Sequence, residues 1–233
     1  MSIVHVRCAA AVAALAFTSA AAIRAEVVVT NLAEPFRATT EIGNNPNPAS
    51  PPSGAPEWSW AAQSFTTDAV SYSLTQIDIM GGDAAAGPVI VCELHEDNAG
   101  AIGALITTMS TTDFLATAPS PQTLTPDNPV VLAASTTYWV VLGSQAPGDG
   151  TLGWSYANSN NSVGTGVIGA YADSQDSGAN WNFGTKFPYF IQVLAERTVP
   201  CSSCLGDSNG DGLINFDDIT QTLASWGGSC PAK

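Results

Sequence analysis

Basic residues are what this chain has least of. Six Lys and Arg stand against 20 Asp and Glu, for a formal net charge of −14. An acidic surface of this kind repels phosphate backbones, which argues against a nucleic-acid partner. Histidine is nearly absent: His5 lies in the N-terminal stretch and His95 is the other, so the usual general base has a single candidate in the body of the chain. No Gly-x-Ser-x-Gly motif occurs in residues 26–198, so the nucleophile elbow of a serine hydrolase is not encoded in the body of the chain. Past the first 25 residues no apolar run reaches the ~18 residues that span a bilayer, and no transmembrane segment is expected there. Against these absences, 45% of residues are hydrophobic, including six Trp, eight Phe and five Tyr. That is apolar area enough for a core, and it excludes a disordered tail.

Residues 1–25 carry an early Arg7, an Ala-rich apolar stretch and a small-residue end before Glu26. This is the pattern of a secretory signal peptide, with cleavage expected after Ala25 or Ala22. Cys8 sits too early for a lipid-modified N-terminus. The expected location is secreted, extracellular or cell-surface, an oxidising compartment with abundant calcium.

Residues 26–198 are punctuated by turn signals such as Gly81-Gly82-Asp83, Asp97-Asn98-Ala99-Gly100 and Pro126-Asp127-Asn128-Pro129. Between them lie short β-branched and aromatic runs: 26–30, 64–67, 73–79, 89–94, 136–142 and 189–194. Alternation is clear in Ile90, Cys92, Leu94 against Val91, Glu93, His95, and imperfect over 74–79. No segment keeps helical apolar spacing for three turns. The spacing predicts an all-β domain, an antiparallel, jelly-roll-like β-sandwich. Residues 43–56 hold five prolines and read as a long surface loop.

Nothing in this body identifies a catalytic residue. His95 reads as a solvent-facing strand end. Were the chain an enzyme, paired carboxylates for glycoside hydrolysis would be the chemistry to seek. Trp58 and Trp60 share one face of a strand, which suits either a sugar-stacking platform or core packing.

The text changes over 199–233. Cys201, Cys204 and Cys230 bracket Asp207-Ser-Asn-Gly-Asp-Gly-Leu-Ile-Asn-Phe-Asp-Asp218. Counting from Asp207, side-chain oxygens fall at positions 1, 3, 5, 9 and 12, with Gly212 at 6, the spacing of a calcium-binding loop. A hard cation needs six or seven oxygens at one point, and alternate residues of a curling backbone supply them. Asp207, Asn209 and Asp211 give one oxygen each, Leu213 its carbonyl, Asn215 a direct or water-mediated contact, and Asp218 a bidentate carboxylate. Phe216, Ile219, Leu223 and Trp226 then form one stripe of a short helix stopped at Gly227-Gly228. Cys204 and Cys230 flank this unit, and a disulfide between them would stabilise it by about 3–4 kcal/mol. Cys201 is left over, Cys92 is expected as a buried thiol, and zinc is a weaker alternative because Cys201-x-x-Cys204 lacks a second pair.

Two resemblances follow from these residues. Ala62-Gln-Ser-Phe-Thr-Thr67, Tyr72-Ser-Leu-Thr-Gln-Ile77, Val91-Cys-Glu-Leu-His-Glu-Asp97, Gly103-Ala-Leu105, Leu132-Ala-Ala-Ser-Thr-Thr-Tyr-Trp-Val-Val-Leu142 and the late Trp181 together resemble the exported choice-of-anchor R family. That resemblance implies a β-sandwich without catalytic activity, ending in a surface-attachment tail. Asp218 at position 12 and the missing entry helix make the tail resemble a dockerin repeat, which implies calcium and a cohesin-like or cell-surface protein partner. A dockerin usually has two repeats where this tail has one, and Phe216 and Asp217 replace the small hydroxyl pair that often meets a cohesin. The leading expectation is a non-catalytic exported protein docked or tethered through its tail. The alternative is a carbohydrate-binding or polysaccharide-degrading component recruited to an extracellular assembly.

Overall fold

The structure, a computed structural model, describes residues 25–44, 58–82, 90–111, 118–144, 151–198 and 216–225. In chain order the strands are β1 (Glu26–Thr30), β2 (Phe36–Asn44), β3 (Trp58–Thr66), β4 (Tyr72–Gly82), β5 (Val91–Asn98), β6 (Ala101–Ser110) and β7 (Ser120–Pro126). They continue as β8 (Val131–Leu132), β9 (Thr137–Gly143), β10 (Thr151–Ala157), β11 (Val163–Gly164), β12 (Val167–Ser174), β13 (Asn182–Gly184) and β14 (Ile191–Arg197), followed by helix α1 (Phe216–Ser225). Every recorded strand pairing is antiparallel.

The all-β, antiparallel reading therefore stands, with one refinement in how the strands close. Hydrogen bonding runs β10-β2-β3-β9-β5-β6-β7-β4 and returns from β4 to β10, a ring of eight strands. Three links of that ring are only two residue pairs long: Gly43↔Ser59 with Asn44↔Trp58, Met109↔Pro126 with Ser110↔Thr125, and Gly153↔Gly82 with Trp154↔Gly81. Regular turn spacing alone does not separate two facing layers from such a ring, because the difference lies in a few cross-strand bonds at the corners. Outside the ring, β14 and β1 extend the edge of β4, and β12 with β13 extend the edge of β3.

Inside the ring lies the main core. Phe65, Tyr138, Val140, Leu142, Cys92 and Leu94 from β3, β9 and β5 meet Ile77, Ile79, Leu124, Ile191, Val193 and Trp154 from the opposite strands. The imperfect alternation of residues 74–79 has a local cause. Pairing with β14 skips Thr75, since Leu194 faces Gln76 while Ala195 faces Leu74. That bulge lets Leu74 and Ile77, three apart, both point inward. At 98–101 a two-residue hairpin turns through Ala99 and Gly100, both at positive φ (52° and 87°), and the Asp97 carboxylate accepts the Gly100 N–H at 2.9 Å. Positive φ at both central residues is the geometry that suits the twist of antiparallel strands.

Helix α1 begins at Phe216, as the apolar stripe predicts, and ends at Ser225. Trp226 and the Gly227-Gly228 stop lie outside the described residues, as do the proline-rich loop after Asn44 and residues 1–24. Among the described residues no helix is long and apolar enough to cross a membrane.

Candidate functional site

A concavity lies beside β2, β10 and β12, and the segment leading from β13 into β14 runs along it. It has a volume of about 170 Å³ and is lined by Arg37 and Thr40 of β2, Tyr156 of β10, Tyr171 and Asp173 of β12, and Phe187 and Tyr189. Tyr189, only 3% exposed, forms part of its floor with the residues it packs against. Its ring stacks on the fully buried Trp154 at 4.5 Å, and Tyr156 and Tyr171 meet it edge-on at 6.0 and 5.9 Å. Two buried amides fix the backbone beneath. The Gln63 carbonyl accepts the Tyr189 N–H at 2.8 Å, while its amide donates to the carbonyls of Ser64, Gly169 and Ala170. Asn31 donates to the Tyr189 carbonyl at 3.0 Å and accepts the Ile191 N–H at 2.8 Å. Opposite Tyr171 in the register stands Gly184; a Cβ there would lie 2.5 Å from the Tyr171 hydroxyl, so glycine leaves the phenol its space.

Two opposite charges complete the lining. The Arg37 guanidinium lies 3.6 Å from the centroid of the Phe187 ring and donates to the Asn158 side-chain oxygen at 3.1 Å, a cation–π seat. Phe187 adopts φ 65°, a conformation costly for an aromatic residue. Its N–H is held by the side-chain oxygen of Asn160 at 3.2 Å, whose amide donates to the Thr185 carbonyl at 2.6 Å. Across the pocket, the Asp173 carboxylate accepts the Tyr189 hydroxyl. Burial raises the Asp173 pKa, and the Tyr189 hydrogen bond offsets only part of that. Burial and the neighbouring Asp173 push the Tyr189 phenol far above its ordinary value. The ion pairs among the described residues are His95–Glu93 and Arg197–Glu26, so Arg37 and Asp173 share the pocket without pairing with each other.

His95 departs from the solvent-facing strand end expected of it. It lies on the face of β5 away from the main core, opposite Trp139 in the register, and its side chain is only 14% exposed. Nδ1 donates to the Gly103 carbonyl at 3.0 Å and Nε2 to the Glu93 carboxylate at 2.9 Å. Both ring nitrogens face acceptors, the arrangement that suits imidazolium. Burial opposes the charge, but Glu93 and the Gly103 carbonyl outweigh it and raise the pKa. The outer face is covered where it was expected to be wet, by a second apolar cluster of Ala62, Trp139, Val141 and Ala172 with Trp60, Ile102 and Trp181 against it. Cys92 is a buried free thiol with its pKa pushed up to about 12, chiefly by burial.

Trp60 is half-buried and its indole N–H donates to the Ser144 carbonyl at 2.7 Å; the side chain of Trp58 lies outside the described residues. So do Asp207, Asn209, Asp211, Leu213 and Asn215, together with Cys201, Cys204 and Cys230. Of the calcium set only Asp218 is described. It is 3% exposed on a helix whose Phe216, Ile219 and Leu223 are 76%, 54% and 60% exposed. Among the described residues no three His, Cys, Asp or Glu side chains converge on a metal-sized point.

Sequence reasoning missed the tyrosine pocket. Tyr156, Tyr171 and Tyr189 are far apart in the chain and share no motif. The available signal was Arg37, a lone cation in the acidic stretch from Glu26 to Thr185. Neither a comparison with protein-family models nor one with curated proteins finds a match.

Proposed function

We propose that the chain is an exported, non-catalytic protein: a signal peptide over 1–25, an antiparallel, jelly-roll-like β-sandwich over 26–198, and a calcium-loaded, dockerin-like tail over 199–233 that tethers or docks it. The observation that carries this reading is Asp218. It stands in the first turn of α1 and at position 12 of an oxygen-donor spacing that begins at Asp207. Asp207, Asn209, Asp211, Asn215 and the Leu213 carbonyl complete a hard-oxygen donor set that suits calcium over softer metals. The exposed Phe216, Ile219 and Leu223 then give a cohesin-like or cell-surface partner an apolar stripe to cover.

Calorimetric titration of the mature chain with calcium tests the reading. One site is expected, and it should vanish in the Asp207→Ala/Asp218→Ala double variant. Wild-type binding no tighter than the double variant's overturns it.

A further inference from the structure

We propose that the pocket between Arg37 and Asp173 binds one ring of a neutral saccharide, with its C–H face on the tyrosine rings and its hydroxyls shared between the guanidinium and the carboxylate. The inference concerns the β body and is independent of calcium in the tail.

The lining decides the chemistry. A purely apolar ligand would desolvate the half-buried Tyr156 and Tyr171 phenols and two charges without replacing their hydrogen bonds. An anion meets Asp173 and a strongly acidic chain. A cation meets Arg37, which already occupies the face of Phe187. A polyhydroxylated ring does what none of these can. Each hydroxyl both donates and accepts, so a single ligand satisfies an acceptor-only carboxylate and a donor-only guanidinium that are not paired with each other. Aromatic faces beside such groups take the apolar side of the ring.

Size sets the extent. At about 170 Å³ the cavity is well below the roughly 300–1,000 Å³ of sites for drug-sized ligands. It holds one ring, so a terminal or side-branch sugar fits and the interior of a linear chain does not.

Preorganisation separates this pocket from an accidental dent. Gln63 and Asn31 pin the backbone of Tyr189, Asn160 holds Phe187 in its strained conformation, and Asn158 and Phe187 fix Arg37. Strain held by surrounding hydrogen bonds is typical of binding sites, and rigid walls lower the ordering cost of binding.

The test is ligand-observed NMR and calorimetry on the mature chain with glucose, galactose, mannose and xylose at millimolar concentrations, repeated with chelator. At least one sugar should show saturation transfer to its ring protons and millimolar affinity, unchanged by chelator. Arg37→Ala, at an exposed position, and the isosteric Asp173→Asn should each weaken binding about tenfold or more while the far-UV spectrum is unchanged. Binding of none of the four sugars overturns the proposal. So does retention of full affinity in both variants, or a preference for tetramethylammonium or glucuronate over every neutral sugar. None of these results bears on calcium binding by the tail.

Discussion

Gly143 lies flat beneath the indole of Trp60: a Cβ at that position would come within 2.1 Å of the ring. The contact joins the end of β9 to β3, and the adjacent Ser144 carbonyl accepts the Trp60 N–H. Backbone and indole thus fix each other. Gly143→Ala should displace the indole, cost about 1–3 kcal/mol in denaturant unfolding as an overpacked site does, and alter tryptophan fluorescence. An unchanged midpoint and spectrum would mean the ring moves aside freely.

Asn31 acts as a piece of sheet. Its backbone N–H donates to the Ile191 carbonyl at 3.1 Å, and its side chain bonds the Tyr189 carbonyl and the Ile191 N–H. Asn31→Ala strands two backbone groups in a site where Asn31 is itself only 2% exposed. The expected cost is about 2–4 kcal/mol, measured by chemical denaturation, together with weaker sugar binding because Tyr189 loses its anchor. Asn31→Asp, which sets a buried carboxylate oxygen against the Tyr189 carbonyl, should cost at least as much as Asn31→Ala at neutral pH.

The fold was legible where apolar residues alternate. The expected runs at 26–30, 73–79, 136–142 and 189–194 overlap β1, β4, β9 and β14. β2 and β12 were not legible, because Phe-Arg-Ala-Thr-Thr-Glu-Ile-Gly-Asn and Val-Ile-Gly-Ala-Tyr-Ala-Asp-Ser carry Ala, Gly and acids that depress strand propensity. Partners on both sides decide them: β12, for instance, lies between β3 and β13. Missing β2 and β12 meant missing the pocket, since four of its seven lining residues lie on them. The oxygen-donor spacing of 207–218 is local in sequence, and of its six proposed donors only Asp218 lies among the described residues.

The His95–Glu93 pair makes stability depend on pH in a definite direction. The folded pKa of His95 is raised, so the folded state holds the proton more tightly than the unfolded chain. The pair's contribution is full below the unfolded value near 6.5 and is lost as pH rises through the folded value. Thermal melts of wild type and His95→Gln from weakly acidic to weakly alkaline pH should show the largest gap at the acid end, narrowing upward. A gap that widens with pH would show that neutral histidine is the stabilising form.

Calcium removal should act locally. Asp207, Asp211, Asp217 and Asp218 crowd one short segment and repel without a cation. Chelator should therefore reduce helical signal while leaving the near-ultraviolet tyrosine bands unchanged, since all five tyrosines lie within 26–198. A shift of one cooperative melt for the whole chain would mean that tail and body unfold together.

Asp173 separates binding from stability. Burial raises its folded pKa, so ionisation is less favourable in the folded state than in the unfolded chain. Folding stability falls as pH climbs from the unfolded carboxylate value toward the folded one, and the loss persists above it. Asp173→Asn removes the charge yet keeps an oxygen to accept the Tyr189 hydroxyl. The variant should melt at or above the wild-type temperature at neutral pH, with its relative advantage shrinking as the solution is acidified, while sugar affinity falls. Residues retained for binding at the expense of stability behave this way. A variant that melts well below wild type at neutral pH would show that the charged carboxylate itself stabilises the folded pocket.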